Sequence, residues 1–180
     1  MGAEDRYCKT YSISWERIHQ DCKSLAERLH GMGRWERIVG IARGGLVPTA
    51  IVARELSIRL VDTVCISSYT LRTQGRPNVL KGIATEDGGR NWLIVDDLVD
   101  TGKTAQVVRA LLPNACFAAV YAKPEGRPFV DTFITEVSQD TWILFPWDAE
   151  YAYSKPLVEE AAEPLLTSPI GSLGSKPSHA

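Results

Sequence analysis

An α/β fold with a mostly parallel sheet is what this chain predicts, on three observations. Short apolar runs recur at residues 37–42 (RIVGIA), 61–67 (VDTVCIS), 92–95 (WLIV) and 115–122 (ACFAAVYA). The most continuous of them read as strands buried on both faces. Between them lie segments whose apolar residues recur every three or four positions, the period of a helix. Glycines and charges collect just after the runs, at the strand carboxyl ends where an open α/β sheet meets its ligands.

The first segment, residues 1–13, is polar and reads as a flexible N-terminus, with Tyr7 and Tyr11 available to dock on a neighbour. Over residues 14–30 Trp15, Ile18, Cys22, Leu25 and Leu29 keep helical spacing, with Ser14 as N-cap and Gly31 as stop. His19 and His30 lie off that stripe, as surface residues do. The strand at 37–42 runs straight into Arg43-Gly44-Gly45-Leu46-Val47-Pro48. The glycines let backbone approach a ligand closely, and Pro48 suits the first turn of a helix ending near Leu56. Taken alone, that loop is equally a glycine turn with a surface arginine.

After the third strand the composition changes. Residues 68–91 are polar, glycine-bearing and basic in their first part, which suits a mobile lid over a site as well as a plain surface loop. Ser68, Tyr69, Arg72 and Arg76 are its residues with reach toward a phosphate. The strand at 115–122 ends at Lys123-Pro124-Glu125-Gly126-Arg127-Pro128. A lysine held there donates hydrogen bonds only, and so favours a carbonyl oxygen over an amino group. In QDTWILFPWDAE, Trp142 offers an aromatic face and Ile143 its main chain, although a tryptophan is more often plain core. From Glu163 onward Pro, Ser and Gly dominate, so 151–180 reads as a largely flexible extension beyond a domain at 14–150.

The stretch that organises the chain is LIVDDLVDTGKTA. Asp96 and Asp97 sit where the buried strand should end, and Asp100, Thr101, Gly102, Lys103 and Thr104 lead into a helix from Ala105 to Leu112. A helix N-terminus with free N–H groups favours phosphate. Carboxylates on the same loop would repel it unless they hold a cation or sugar hydroxyls. A ligand carrying phosphate, ribose and a divalent metal answers both halves. Gly102-Lys103-Thr104 imitates the end of a nucleotide-hydrolysing P-loop, but Asp97 stands where that motif needs its first glycine.

Composition bounds the rest. With 180 residues and 44% hydrophobic content the chain suits one globular domain. A formal net charge of −2 gives no general attraction to nucleic acid. The four cysteines, Cys8, Cys22, Cys65 and Cys116, are widely spaced with no C-x-x-C, and Cys65 and Cys116 read as buried thiols. The N-terminus is too polar for a signal peptide and no apolar run approaches a bilayer's thickness, so a cytoplasmic setting is expected. Peripheral association at the inner membrane face stays open.

Two acidic residues, two hydrophobics and D-T-G-K-T resemble the signature of the type I phosphoribosyltransferases. ARGGLVP, ARELSIRLVDTVCISSY, VDDLVDTGKTA, AKPEGRP and QDTWILFPWD, in order from Ser14 to about Asp148, resemble the bacterial xanthine-guanine phosphoribosyltransferases of purine salvage. The resemblance implies that family's fold, an open parallel sheet flanked by helices with a small hood or lid. It implies transfer of phosphoribose from phosphoribosyl pyrophosphate to xanthine, guanine and, more weakly, hypoxanthine, with Mg²⁺. Asp100 would exchange the proton at purine N7. Arg43, Gly44 and a lid arginine (Arg76 or Arg72) would bind pyrophosphate, Asp96 and Asp97 the ribose, and Leu98, Val99, Asp100, Thr101, Gly102, Lys103 and Thr104 the 5′-phosphate. Lys123, Trp142 and Ile143 would read the purine. Asp97, and more weakly Asp148, would face the metal. In that family the Arg43 loop often holds a cis peptide. The resemblance also implies a homo-oligomer, tetramer or dimer. It departs in a slightly longer lid, with Gly75-Arg76 at the arginine's place, and in the longer C-terminus. A regulator that senses phosphoribosyl pyrophosphate on the same fold, or an enzyme for another base, stays open at this point.

Overall fold

The computed structural model describes residues 7–67 and 77–148. Contacts divide the chain into two units, 1–146 and 147–180. All the elements below belong to the first, and Trp147 and Asp148 are the described residues of the second.

Six strands form one sheet in the order β4-β3-β2-β5-β6-β7. They are β2 (Arg37–Ala42), β3 (Leu60–Ser67), β4 (Asn78–Lys81), β5 (Trp92–Val99), β6 (Cys116–Ala122) and β7 (Thr132–Glu136). Only β4, which returns beside β3 as the second arm of a hairpin, runs antiparallel. The apolar runs of β2, β5 and β6 are buried almost throughout. The predicted reason is the observed one, since helices cover both faces. Helix α1 (Trp15–Met32) and α2 (Leu46–Glu55) pack together, and α2 meets β2, where Gly40 leaves room for the Thr49 side chain. On the opposite face α3 (Lys103–Leu111) sets Ala105 and Val108 against Val39, Ile41, Ile94 and Phe117.

Four of the five residues in the stripe predicted for α1 form its buried face, Ile18, Cys22, Leu25 and Leu29, whereas Trp15 in the first turn is 57% exposed. Burial of each aliphatic side chain contributes about 1.5–3 kcal/mol. Ser14 is the N-cap, its hydroxyl accepting from the Arg17 N–H at 3.1 Å. The helix passes the expected stop at Gly31 and ends before Gly33, where the Trp35 indole N–H donates to Leu29 O at 2.9 Å.

Three expectations need correction. Residues 9–12 are not a flexible lead. They form β1 (Lys9–Ser12), paired in parallel with β8 (Thr141–Leu144) in a separate two-stranded sheet. All four β1 side chains are exposed, so main-chain bonding rather than an apolar pattern makes this strand. Next, β5 does not stop at Asp96. Its pairing with β2 ends at Gly40↔Val95, while pairing with β6 continues to Val99↔Ala122. The carboxylates therefore stand on a strand that has parted from one neighbour and kept the other. Finally, Cys65 and Cys116 are only half-buried, while Cys22 is the buried thiol; all four are free.

Residues 77–91 of the expected lid lie within the description, as β4 and the turns that follow. Ser68, Tyr69, Arg72, Gly75 and Arg76 lie outside the described residues, as does the extension 151–180. Among the described residues no helix is long and apolar enough to cross a membrane.

Candidate active site

The sheet order places the chain's reversal between β2 and β5. From β2 the chain moves outward to β3 and β4, then returns to β2's other side as β5. Ligands of open α/β sheets bind where neighbouring strands lead their connections apart in this way. The two loops that leave this point carry Arg43-Gly44-Gly45 and Asp96 to Thr104.

The first loop is tight. The Ala42–Arg43 peptide is cis. Gly44 faces the Asp97 carboxylate so closely that any side chain there would collide with it, and Gly45 is closed in by the carbonyls of Val95 and Ile41. Arg43 is exposed at the loop's edge. Gly44→Ala is therefore expected to displace Asp97 while the fold persists. Affinity for an anion held between the loops should drop roughly ten- to a hundredfold, read by equilibrium dialysis of inorganic pyrophosphate against an unchanged circular-dichroism spectrum.

At the end of β5, before the second loop, Asp96 is buried (7% exposed) and Asp97 half-buried. The Asp97 N–H donates to Asp96 Oδ1 at 3.0 Å, and the Leu98 N–H to Asp97 Oδ1 at 2.7 Å. Burial, and then the charge of Asp97 beside it, push the Asp96 carboxyl well above the usual carboxylate range. The consequence for stability has a definite sign. An unfolded Asp titrates near about 4. Above that pH the folded chain still holds a proton the unfolded chain has lost, so stability falls as pH rises toward the folded value. Asp96→Asn removes this cost. The variant should melt a few degrees higher than the parent at neutral pH, with the gain vanishing below about pH 4; melting curves across that range check it.

Beyond Val99 the chain turns at Gly102, whose φ of 77° is the left-handed conformation glycine tolerates. Phe129 packs where a side chain would go. Gly102 is itself the α3 N-cap and offers no side-chain bond, so neither Asp100 nor Thr101 caps the helix. A cavity of about 110 Å³ opens here, lined by Asp96, Leu98, Val99, Asp100, Thr101, Gly102, Lys103, Thr104 and Ala105. Backbone N–H groups, Lys103 and the helix dipole make it an anion site.

Asp100 is the hub of a second cluster. Its Oδ1 accepts from Gln139 Nε2 at 2.7 Å and lies 3.3 Å from Lys123 Nζ, while Oδ2 accepts from the Tyr7 hydroxyl at 2.7 Å. Lys123 is 1% exposed. Its stem is fixed at the β6 end, where its N–H donates to Val99 O at 3.0 Å and its carbonyl accepts from Gly126 and Arg127. The ammonium sits 4.4 Å from the Tyr7 ring centre. Trp142 is half exposed and meets the same ring edge-on, with centroids 5.2 Å apart. Ile143 is buried, which leaves only its main chain to meet a ligand. Asp148 belongs to the second unit.

Gln139 and Tyr7 were not among the expected site residues. Gln139 joins two loops, since its Oε1 also accepts from the Glu125 N–H at 3.0 Å. It opens the QDTWI stretch that carried the resemblance, and that was its only signal. Tyr7 had none.

The chain is similar to known proteins over most of its length. The phosphoribosyl transferase domain family matches residues 14–154. A xanthine-guanine phosphoribosyltransferase of Nitratidesulfovibrio vulgaris is 58% identical over 161 residues, 89% of this chain and 98% of the relative. One of Desulfotalea psychrophila is 57% identical over 155 residues, 86% of this chain and 96% of that one. Among solved structures, a purine phosphoribosyltransferase from Pyrococcus horikoshii superposes with a TM-score of 0.67 at 26% identity, over 81% of this chain and 99% of that one.

Proposed function

The chain belongs to the phosphoribosyltransferase family, and from that membership we propose that it is a purine-salvage enzyme transferring phosphoribose from phosphoribosyl pyrophosphate to xanthine, guanine and, more weakly, hypoxanthine. The observation that carries the reading is the pairing of Lys123 with Asp100 beside the anion-binding loop. On a 6-oxopurine the 6-oxygen and N7 are neighbours on one edge. A buried ammonium and a carboxylate 3.3 Å apart offer that edge a donor and a proton acceptor side by side. Adenine would set an amino group against the ammonium, donor against donor.

In this reading the loop from Leu98 to Thr104 holds the 5′-phosphate, Asp96 and Asp97 hold the ribose hydroxyls, and Arg43 and Gly44 line the pyrophosphate side. Purine N9 attacks the anomeric carbon, the carbon–oxygen bond to pyrophosphate breaks, and Asp100 takes the proton at N7. The transition state carries positive charge on the sugar, so these residues act by positioning and by charge stabilisation. Gln139 orients the Asp100 carboxylate; Trp142 covers the base and the Ile143 main chain meets its 2-position.

The donor set suits Mg²⁺. Asp97 supplies a hard oxygen, and the charge crowding that raises Asp96 is relieved by a cation alongside. Among the described residues no group of three or more ligating side chains gathers, as fits an ion that takes most of its ligands from substrate oxygens and water. Bound there, Mg²⁺ would neutralise charge on the leaving pyrophosphate. A lid arginine, Arg76 or Arg72, is proposed for the pyrophosphate and Asp148, more weakly, for the metal. Self-association is part of it too. The expected assembly is a tetramer or dimer.

The deciding assay supplies Mg²⁺, phosphoribosyl pyrophosphate and each purine in turn, and compares kcat/KM. Turnover of xanthine and guanine with none of adenine is the expected result. Tight binding of phosphoribosyl pyrophosphate with no turnover of any base would point to a regulator instead.

A further inference from the structure

We propose that Tyr7 occupies the base subsite of the free enzyme and must swing out before a purine enters, which makes it a built-in competitor of the base. The inference rests on the purine reading of Asp100, Lys123 and Trp142 given above.

One aromatic side chain touches all three of the side chains that this reading reserves for a base. Its hydroxyl donates to Asp100 Oδ2 at 2.7 Å, the Lys123 ammonium lies 4.4 Å from its ring centre, and the Trp142 ring meets it at 5.2 Å with the planes inclined by 64°. The Tyr7 hydroxyl takes the Asp100 carboxylate as a base proton would, while the ring lies under the ammonium and against the indole edge, filling the space between the three side chains in an orientation of its own. Two rings cannot hold that place together.

The tether that puts Tyr7 there begins at the next residue. The N–H groups of Cys8 and Lys9 both donate to Asp140 O, at 2.9 and 3.3 Å, and Lys9 Nζ pairs with the Asp140 carboxylate at 3.1 Å. From Lys9 the chain is bonded to β8, the strand that carries Trp142. Rotation about Tyr7 and Cys8 can therefore clear the ring without unpairing β1. The tether also keeps the phenol beside the site at a high effective concentration. An occupant of this kind lowers the fraction of enzyme open to the base, and apparent affinity falls in proportion.

Steady-state kinetics of Tyr7→Ala and Tyr7→Phe test this. Tyr7→Ala should lower KM for guanine and xanthine about five- to twentyfold, while KM for phosphoribosyl pyrophosphate stays close to the parent's. Tyr7→Phe keeps the ring but loses the bond to Asp100, and should fall between the parent and Tyr7→Ala. An unchanged base KM in Tyr7→Ala overturns the proposal. So does a raised one, which would make Tyr7 part of the wall that holds the base. Parent enzyme that turns over no purine would remove the purine reading and this inference with it, so the parent assay tells the two failures apart.

Discussion

Asp100→Asn is expected to lower kcat by about 10²- to 10⁴-fold while leaving the affinity for phosphoribosyl pyrophosphate close to that of the parent. The substitution keeps the size and planarity of the side chain. Three donors converge on the native carboxylate, from Gln139, Lys123 and Tyr7. An amide in its place offers one oxygen to them and turns an N–H₂ toward the rest. What it cannot do is take a proton from the purine as the bond to the sugar forms. The 5′-phosphate, by contrast, is assigned to backbone N–H groups of the loop and the start of α3, and these need no carboxylate. Turnover and binding should therefore separate, with kcat from initial rates and affinity from equilibrium dialysis of phosphoribosyl pyrophosphate. Equal losses in both would sink the role of Asp100 as proton acceptor and leave it a loop-shaping residue.

What could be read in the sequence divides along a physical line. The strand at Arg37–Ala42 was legible to the residue, because a strand covered on both faces must be apolar throughout and its ends are marked by charge and glycine. Arg43, Gly44 and the run from Asp96 to Thr104 were legible for a related reason. Each is a local segment whose backbone requirements and chemistry are written in consecutive residues. Contacts between distant segments leave no such trace. β1 has four exposed side chains and owes its form to main-chain bonds with a strand more than a hundred residues away, so no periodicity could announce it. Gln139 and Tyr7 reach Asp100 across 39 and 93 residues, and any polar side chain in a loop looks the same in one dimension. The extent of β5 was misjudged because carboxylates usually end a buried strand. Here they stand where β2 has already diverged, while the ladder with β6 continues.

Lys123→Ala should lower kcat/KM for xanthine and guanine roughly a hundredfold or more and shrink the preference for them over adenine. A buried ammonium at the end of a central strand is costly to keep unless something uses it. Asp100 is only a partial answer, because its side chain is 29% exposed and already accepts from Gln139 and Tyr7. A carbonyl oxygen on the base would give the ammonium a second acceptor, and would do so only for 6-oxopurines. Truncation to Ala also empties the space filled by the stem, at a cost in stability that has nothing to do with recognition. Lys123→Met separates the two effects, since it keeps most of the volume and loses only the charge. The recognition role predicts that both variants lose the oxo-purines to a similar degree, whereas a packing role predicts that Met restores the parent's kinetics. Parent-like kcat/KM with xanthine in either folded variant would refute the assignment of Lys123 to the 6-oxygen.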